Sequence, residues 1–291
     1  MKGLLSLAKI RKTRQTADST KSGKGKNMIN IHFLGTCSGT EPMPNANHSS
    51  LVIERNGELF WIDAGEGCSR RAFLDLGIDV MKTRAILVTH QHIDHIGGLA
   101  NLLFLLDKLE RVHGKRLESD NSLDLFFPAP EVLEYVIGIA TSGKKRNPEF
   151  MYSLNKMPLK DGVIYDNGGV KITALGNSHL GEDDISRSRS FSYLFEADGK
   201  RIVLSGDVKR PSELDPLLAD GADVLVMETG HHKVLSVLDY AKEQNVKSLI
   251  YNHHGREMLT SRTEFEKIMS SCETQEKINA VISYDGMTFS L

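Results

Sequence analysis

Residues 88–99 read VTHQHIDHIGGL. His90, His92, Asp94 and His95 fall within six positions, between the apolar runs AILV and LANLLFLL. Burying so many titratable groups without a partner would leave costly polar atoms unsatisfied. Neutral imidazoles and a carboxylate together suit zinc. A loop after a strand can gather them where a helix cannot. His90 and His92, two apart, would leave the strand on one side. Asp94 is expected at a helix cap, and His95 as the residue that opens the helix.

One loop cannot complete two metal sites, so further ligands should lie elsewhere. Three later apolar runs each aim such a residue off their C-terminal end. VKITALGNSHL reaches His179, KRIVLSGDVKRP reaches Asp207, and VKSLIYNHHGR reaches His253 and His254. If those runs are neighbouring strands, their ends share one rim. His90, His92 and His179 would then serve one metal, Asp94, His95 and His253 a second, with Asp207 between them.

The elements that must position these groups follow from pattern. Strands are predicted at 29–34, 50–54, 58–62, 84–89, 123–127, 170–174, 191–196, 201–205, 223–227, 248–252 and 279–284. These runs are rich in Val, Ile, Phe and Tyr and are punctuated by Gly, Asn or Asp. ERNGEL and EADGKRI carry Asn-Gly and Asp-Gly pairs, expected to form hairpin turns. Helices are predicted at 66–76, 95–109, 130–141, 211–219, 232–244 and 261–271. In 232–244 the buried face is expected to be Val234, Leu235, Leu238 and Ala241. Early hairpins followed by strand–helix alternation imply two packed mixed sheets with helices outside.

Bulk properties set the frame. A chain of 291 residues, 40% hydrophobic, 25% charged and with net charge −2, has ordinary soluble composition. No apolar stretch approaches the roughly 18–20 residues of a membrane span. Cys37, Cys68 and Cys272 are scattered without a CxxC pair. That predicts a reducing, cytoplasmic setting, with neither a disulfide framework nor a thiolate zinc site. Residues 1–26 hold eight Lys or Arg and one acid, Asp18, so this segment is +7 and the remainder −9. We read residues 1–27 as a basic, disordered leader and 28–291 as a single domain.

THQHIDHIGGL resembles the signature of the metallo-β-lactamase superfamily. FLGTCSGTEPMPNANHSSLVIE, FWIDAGEGCSRRA and LSGDVKRPSELDPLLADGADVLVMET resemble, in order, segments of its ribonuclease Z-type members. The resemblance runs from about residue 29 to 256. It implies a four-layer αββα sandwich and two Zn2+ ions, with Mn2+ or Fe2+ as alternatives. One metal would be held by His90, His92, His179 and Asp207, the other by Asp94, His95, Asp207 and His253, with Asp207 bridging. His253 rather than His254 matches the family's placement directly after the strand. Asp63 resembles the carboxylate that supports the histidine loop. A homodimer is also implied.

The chain departs from the tRNA-processing members in two places. Their general-acid histidine follows a different motif. Here METGHHKVLSVLDYA places His231 about where it would fall, with Glu228 as orienting partner and His232 as the other candidate. Their extended arm, which grips tRNA, is replaced by a modest loop carrying Lys144, Lys145 and Arg146. Both the missing arm and the acidic body weigh against tRNA as partner.

The expected chemistry is attack by a metal-bound hydroxide on a phosphodiester, RNA included. Asp94 would orient the nucleophile or accept its proton, and His231 would protonate the departing oxygen. Arg256 would contact an anionic substrate. A lactone, thioester or carboxylic-ester hydrolase is the second reading, and a non-hydrolytic metal-binding protein the third.

Overall fold

The computed structural model describes residues 28–143, 149–273 and 278–291, with backbone alone over 268–273. The leader and the Lys144–Arg146 cluster lie outside the described residues. The first strands are β1 (Ile29–Gly35), β2 (Ser50–Arg55), β3 (Glu58–Ile62), β4 (Thr83–Leu87), β5 (Ser122–Phe126) and β6 (Ser153–Met157). The next are β7 (Gly162–Asn167), β8 (Val170–Gly176), β9 (Phe191–Ala197), β10 (Lys200–Leu204), β11 (Ala222–Thr229), β12 (Val246–His254) and β13 (Asn279–Ile282). The last, β14 (Thr288–Ser290), returns to the first sheet beside β1.

Among the described residues these make two seven-stranded sheets, ordered β14-β1-β2-β3-β4-β5-β6 and β13-β12-β11-β10-β9-β8-β7. Each sheet is antiparallel at one side and parallel at the other. The turns are as expected. Asn56-Gly57 joins β2 to β3 and Asp198-Gly199 joins β9 to β10, all four residues at positive φ, as a tight two-residue hairpin requires.

Parallel neighbours need crossover segments, and these supply the outer layers. The helices are α1 (Cys68–Arg70), α2 (Ile93–Ile96), α3 (Leu99–His113), α4 (Pro130–Ala140), α5 (Asp184–Arg187), α6 (Asp215–Leu218), α7 (Val234–Glu243), α8 (Arg256–Thr260) and α9 (Arg262–Glu273). Strand alternation divides the core into layers. In β3, Phe60 and Ile62 face the space between the sheets, while Leu59 and Trp61 pack under α3 and α4. A third cluster joins the other sheet to α6, α7 and α8. The molecule is an αββα sandwich.

Several elements differ from expectation. The helix predicted at 95–109 breaks at Gly97-Gly98 into α2 and α3. A Cβ on Gly98 would come within 3.0 Å of Cys68 Sγ and collide with the Gly65 carbonyl, so the backbone turns there where only glycine fits. The region predicted as helix 66–76 is the short α1 followed by a π-helical turn, Arg71–Asp75. The 211–219 segment is a 3₁₀ turn, Pro211–Leu214, followed by α6. Strands β6, β7 and β14 are additional. On α7, Val237 takes the buried place expected of Leu235, whose side chain faces out, 47% exposed.

Candidate metal and phosphodiester site

The sheets place the chemistry at one rim. β4, β10, β11 and β12 end there, and β8, two antiparallel steps from β10, ends at the same side. The sheets meet beneath the site, where Phe191 N donates to Thr89 O at 3.0 Å and the Tyr193 hydroxyl to Val88 O at 2.7 Å. The loop after β4 therefore faces the ends of β8, β10 and β12.

There the ligand-type atoms converge in two sets. His90 Nε2 lies 2.9 Å from His92 Nδ1, which is 3.3 Å from His179 Nε2. Asp207 Oδ2 is 3.9 Å from His90 Nε2 and 3.6 Å from His179 Nε2. On the other side His253 Nε2 lies 3.1 Å from both His95 Nε2 and Asp94 Oδ2. Asp207 Oδ1 faces this second set, 3.5 Å from His95 Nε2 and 3.4 Å from His253 Nε2. All seven side chains named from the sequence are brought together. Within the loop one detail differs: His92 stands at the cap of α2, so Asp94 lies inside its first turn.

The donor set fits a pair of cations. Asp207 Oδ1 is buried and receives no hydrogen bond from any described residue, an arrangement that is costly unless a positive charge completes it. Burial opposes the charge on Asp207 and Asp94, yet the neighbouring histidines hold both carboxyls well below the usual range. Burial pushes His90 and His179 down, toward the neutral form that binds metal. Burial also opposes the charge on His95, but Asp207 and Asp63 outweigh it and raise this group. These carboxylates are arranged for positive charge.

His253 and His254 diverge at an irregularity in the β11–β12 pairing. Glu228 pairs with Asn252 and Thr229 with His254, leaving His253 as the extra residue. Its φ is +51, and its ring turns into the cluster. Such a bulge re-aims one side chain. His254 instead lies within 2.9 Å of Thr229 Oγ1 and 3.1 Å of Ser283 O, fully buried. Gly230 leaves the room His253 needs, since a Cβ there would sit 2.9 Å from His253 Nδ1.

The supporting carboxylates are equally specific. Asp63, also at positive φ, accepts from Thr89 N at 2.7 Å and lies 2.7 Å from His95 Nδ1. Glu228 accepts from His231 N at 2.9 Å and lies 3.0 Å from His231 Nδ1. His231 is 48% exposed and 3.9 Å from Asp207 Oδ2. The Glu228 hydrogen bond raises its pKa, against partial burial. His232 turns away, 2.9 Å from Val208 O. A cavity of about 480 Å³ opens over the cluster, lined by His92, Asp94, His179, His231 and His253. Arg256 is at its mouth, paired with Glu41.

Sequence reasoning missed three supporting residues. Asp285 accepts from Thr36 N, Thr36 Oγ1 and Asn47 N, and so fixes the loop that carries Ser38 to the cavity wall. Glu213 holds Ser178, beside His179, to the backbone at Lys209. Thr89 links Asp63 to the histidine loop. None sits in a ligand-type spacing; only Thr89, directly before His90, lay where the motif could have pointed.

This is a metallo-β-lactamase-fold protein of the ribonuclease Z-like kind. The chain belongs to the family described as anti-Pycsar protein Apyc1, whose family model matches residues 29–276. It is 38% identical over 112 residues to ribonuclease Z of Methanopyrus kandleri, a match spanning 36% of this chain and 38% of that one. It is 26% identical over 277 residues to ribonuclease Z of Methanothermobacter thermautotrophicus, spanning 78% and 86%. Among solved structures, the metallo-β-lactamase fold protein YhfI of Bacillus subtilis superposes with TM-score 0.67 at 16% identity, over 91% of this chain and all of that one. Human tRNase Z, short form, superposes with TM-score 0.65 at 18% identity, over 89% and 98%. No described helix is long and apolar enough to cross a membrane.

Proposed function

We propose that the protein is a metal-dependent phosphodiesterase of the ribonuclease Z-like kind, using two metal ions, zinc first, with Mn2+ or Fe2+ as alternatives. The observation that carries this reading is Asp207, whose two carboxylate oxygens face two separate clusters of histidine and aspartate. His90, His92, His179 and Asp207 would hold one ion, and Asp94, His95, His253 and Asp207 the other. Two ions held by these residues would activate water for attack at neutral pH and offset phosphate charge.

The chain's own groups do the rest. Asp94 orients the attacking water and accepts its proton. Asp63 fixes the His95 ring so that Nε2 faces the cluster. His231, aimed by Glu228 and half exposed at the cavity, donates to the departing oxygen. Arg256 exchanges Glu41 for an anionic substrate. The relatives' names, ribonuclease Z and tRNase Z, support a phosphodiester, RNA among them.

Metal-loaded protein assayed on bis(p-nitrophenyl) phosphate, RNA, a lactone and a thioester tests the reading. Phosphodiester hydrolysis abolished by Asp94→Ala is the expected result. Hydrolysis confined to the lactone or thioester, or full activity in metal-loaded Asp94→Ala, would overturn it.

A further inference from the structure

Two ligands of the first cluster come from strands that do not pair. His179 stands three positions past the end of β8 and Asp207 three past the end of β10, and β9 lies between those strands. Neighbouring strands are about 4.8 Å apart, so β8 and β10 are separated by roughly 10 Å. Yet His179 Nε2 lies 3.6 Å from Asp207 Oδ2. The two loops must therefore lean together over the end of β9. One tie runs through β9 itself, from Asn177 Nδ2 to Ser192 Oγ at 3.2 Å and from Ser192 Oγ to Ser205 O at 2.6 Å. The other is Glu213. One of its oxygens accepts from Ser178 N at 3.2 Å and from the Ser178 hydroxyl. The second accepts from Lys209 N at 3.0 Å and Arg210 N at 3.3 Å. Burial opposes charge on Glu213, but Ser178 and the backbone donors hold its carboxyl below the usual carboxylate range.

The two ends of this brace are not equally secure. On the Asp207 side, Val208 is fully buried in the core, and its carbonyl lies 2.9 Å from His232 Nε2. On the His179 side, none of residues 179–189 is buried. Asp63 fixes the His95 ring, but among the described residues no carboxylate does so for the second ring nitrogen of His179. Ion pairs from Lys209 and Arg210 to Glu182 also span the gap. They are exposed, and such pairs contribute little. We propose that Glu213 is a positioning residue for the first metal: it draws the His179 loop across β9 to Asp207, and tight occupation of the His90, His92, His179 and Asp207 cluster depends on it. The second cluster does not, because Asp94, His95 and His253 come from α2 and β12, which Glu213 does not brace. The proposal rests on the two-metal reading above.

Metal titration tests it, with the affinity for each Zn2+ ion read by competition with a chromophoric chelator. Glu213→Gln leaves one acceptor oxygen for two loops. Ser178→Ala keeps the carboxylate and removes the hydroxyl it holds. Glu213→Gln should weaken one ion about 10–100-fold, as the loss of a supporting contact does, and leave the other in place. Ser178→Ala should weaken the same ion. In His179→Ala protein, where the first cluster is already broken, adding Glu213→Gln should cause no further loss. A role in stability alone would lower the thermal midpoint of metal-free protein and leave both affinities native. Native affinities for both ions in the two variants, or the same loss repeated in the His179→Ala background, overturn the proposal while the two-metal reading stands. If Glu213→Gln does not fold, Ser178→Ala decides. Native protein that binds fewer than two ions overturns the reading beneath it, and the proposal with it.

Discussion

Nδ1 of His95 lies 2.7 Å from Oδ2 of Asp63, although 32 positions separate them along the chain. The same carboxylate accepts from the backbone and hydroxyl of Thr89. This one group therefore sets both the ring orientation of His95 and the start of the histidine loop. Removing such a partner costs metal affinity about 10–100-fold in known metal sites. Asp63→Ala is expected to weaken metal binding by that amount, read by competition with a chromophoric chelator. Unchanged affinity would show that the loop holds its shape unaided.

Metal content checks the division of ligands. Native protein should hold two ions per chain by elemental analysis after dialysis. His179→Ala, which touches only one cluster, should retain one, while Asp207→Ala, which serves both, should weaken each. Two tightly held ions in Asp207→Ala would remove the bridge.

His231 predicts a pH signature. Its hydrogen bond to Glu228 raises its pKa above the ordinary histidine value. A group acting as acid works while protonated, so activity should persist above the usual histidine range and fall as pH rises through the raised value. Glu228→Gln should move this alkaline limb to lower pH. His231→Ala should cut kcat about 10²–10⁴-fold for an alkyl leaving group, and far less for p-nitrophenolate, which departs without a proton. Equal losses on both substrates would assign His231 to binding instead.

His254 predicts a stability signature. Burial presses its pKa from 6.5 down to about 3. Between those values the unfolded chain binds a proton that the folded chain refuses. Stability contributed by this site is thus full above about pH 6.5 and is lost as pH falls, by up to about 1.4 kcal/mol per pH unit. Denaturant midpoints of metal-free protein between pH 4 and 7 should show this slope, and His254→Gln should flatten it. A slope unchanged by the substitution would place the dependence in other groups.

Gly230 packs closely against His253. A Cβ 2.9 Å from the Nδ1 atom must displace the ring. Gly230→Ala should cost about 1–3 kcal/mol of stability, as overpacking does, and should weaken the second metal selectively. Wild-type metal content together with wild-type stability would show that the ring can give way at no cost.

The sequence by itself determined the histidine loop and the strand ends that face it. HxHxDH is compressed enough that no tertiary information is needed to see a ligand cluster. An apolar run that ends on His179, Asp207 or His253 is legible wherever a strand must stop at a rim. It also determined the hairpins, because Asn56-Gly57 and Asp198-Gly199 can turn where other pairs cannot. Three of the four edge strands of the described sheets, β6, β7 and β14, were not legible. β6 and β14 are largely exposed, carry little apolar alternation and bury too few side chains to leave a pattern. Tertiary structure alone decided between neighbours of the same type. His253 and His254 differ by a bulge, His231 and His232, both within reach of Glu228, by which one lines the cavity over the cluster, and Leu235 and Val237 by which face of α7 meets the sheet. Residue type and spacing are properties of the chain, but the direction of a side chain is set by the backbone it packs against.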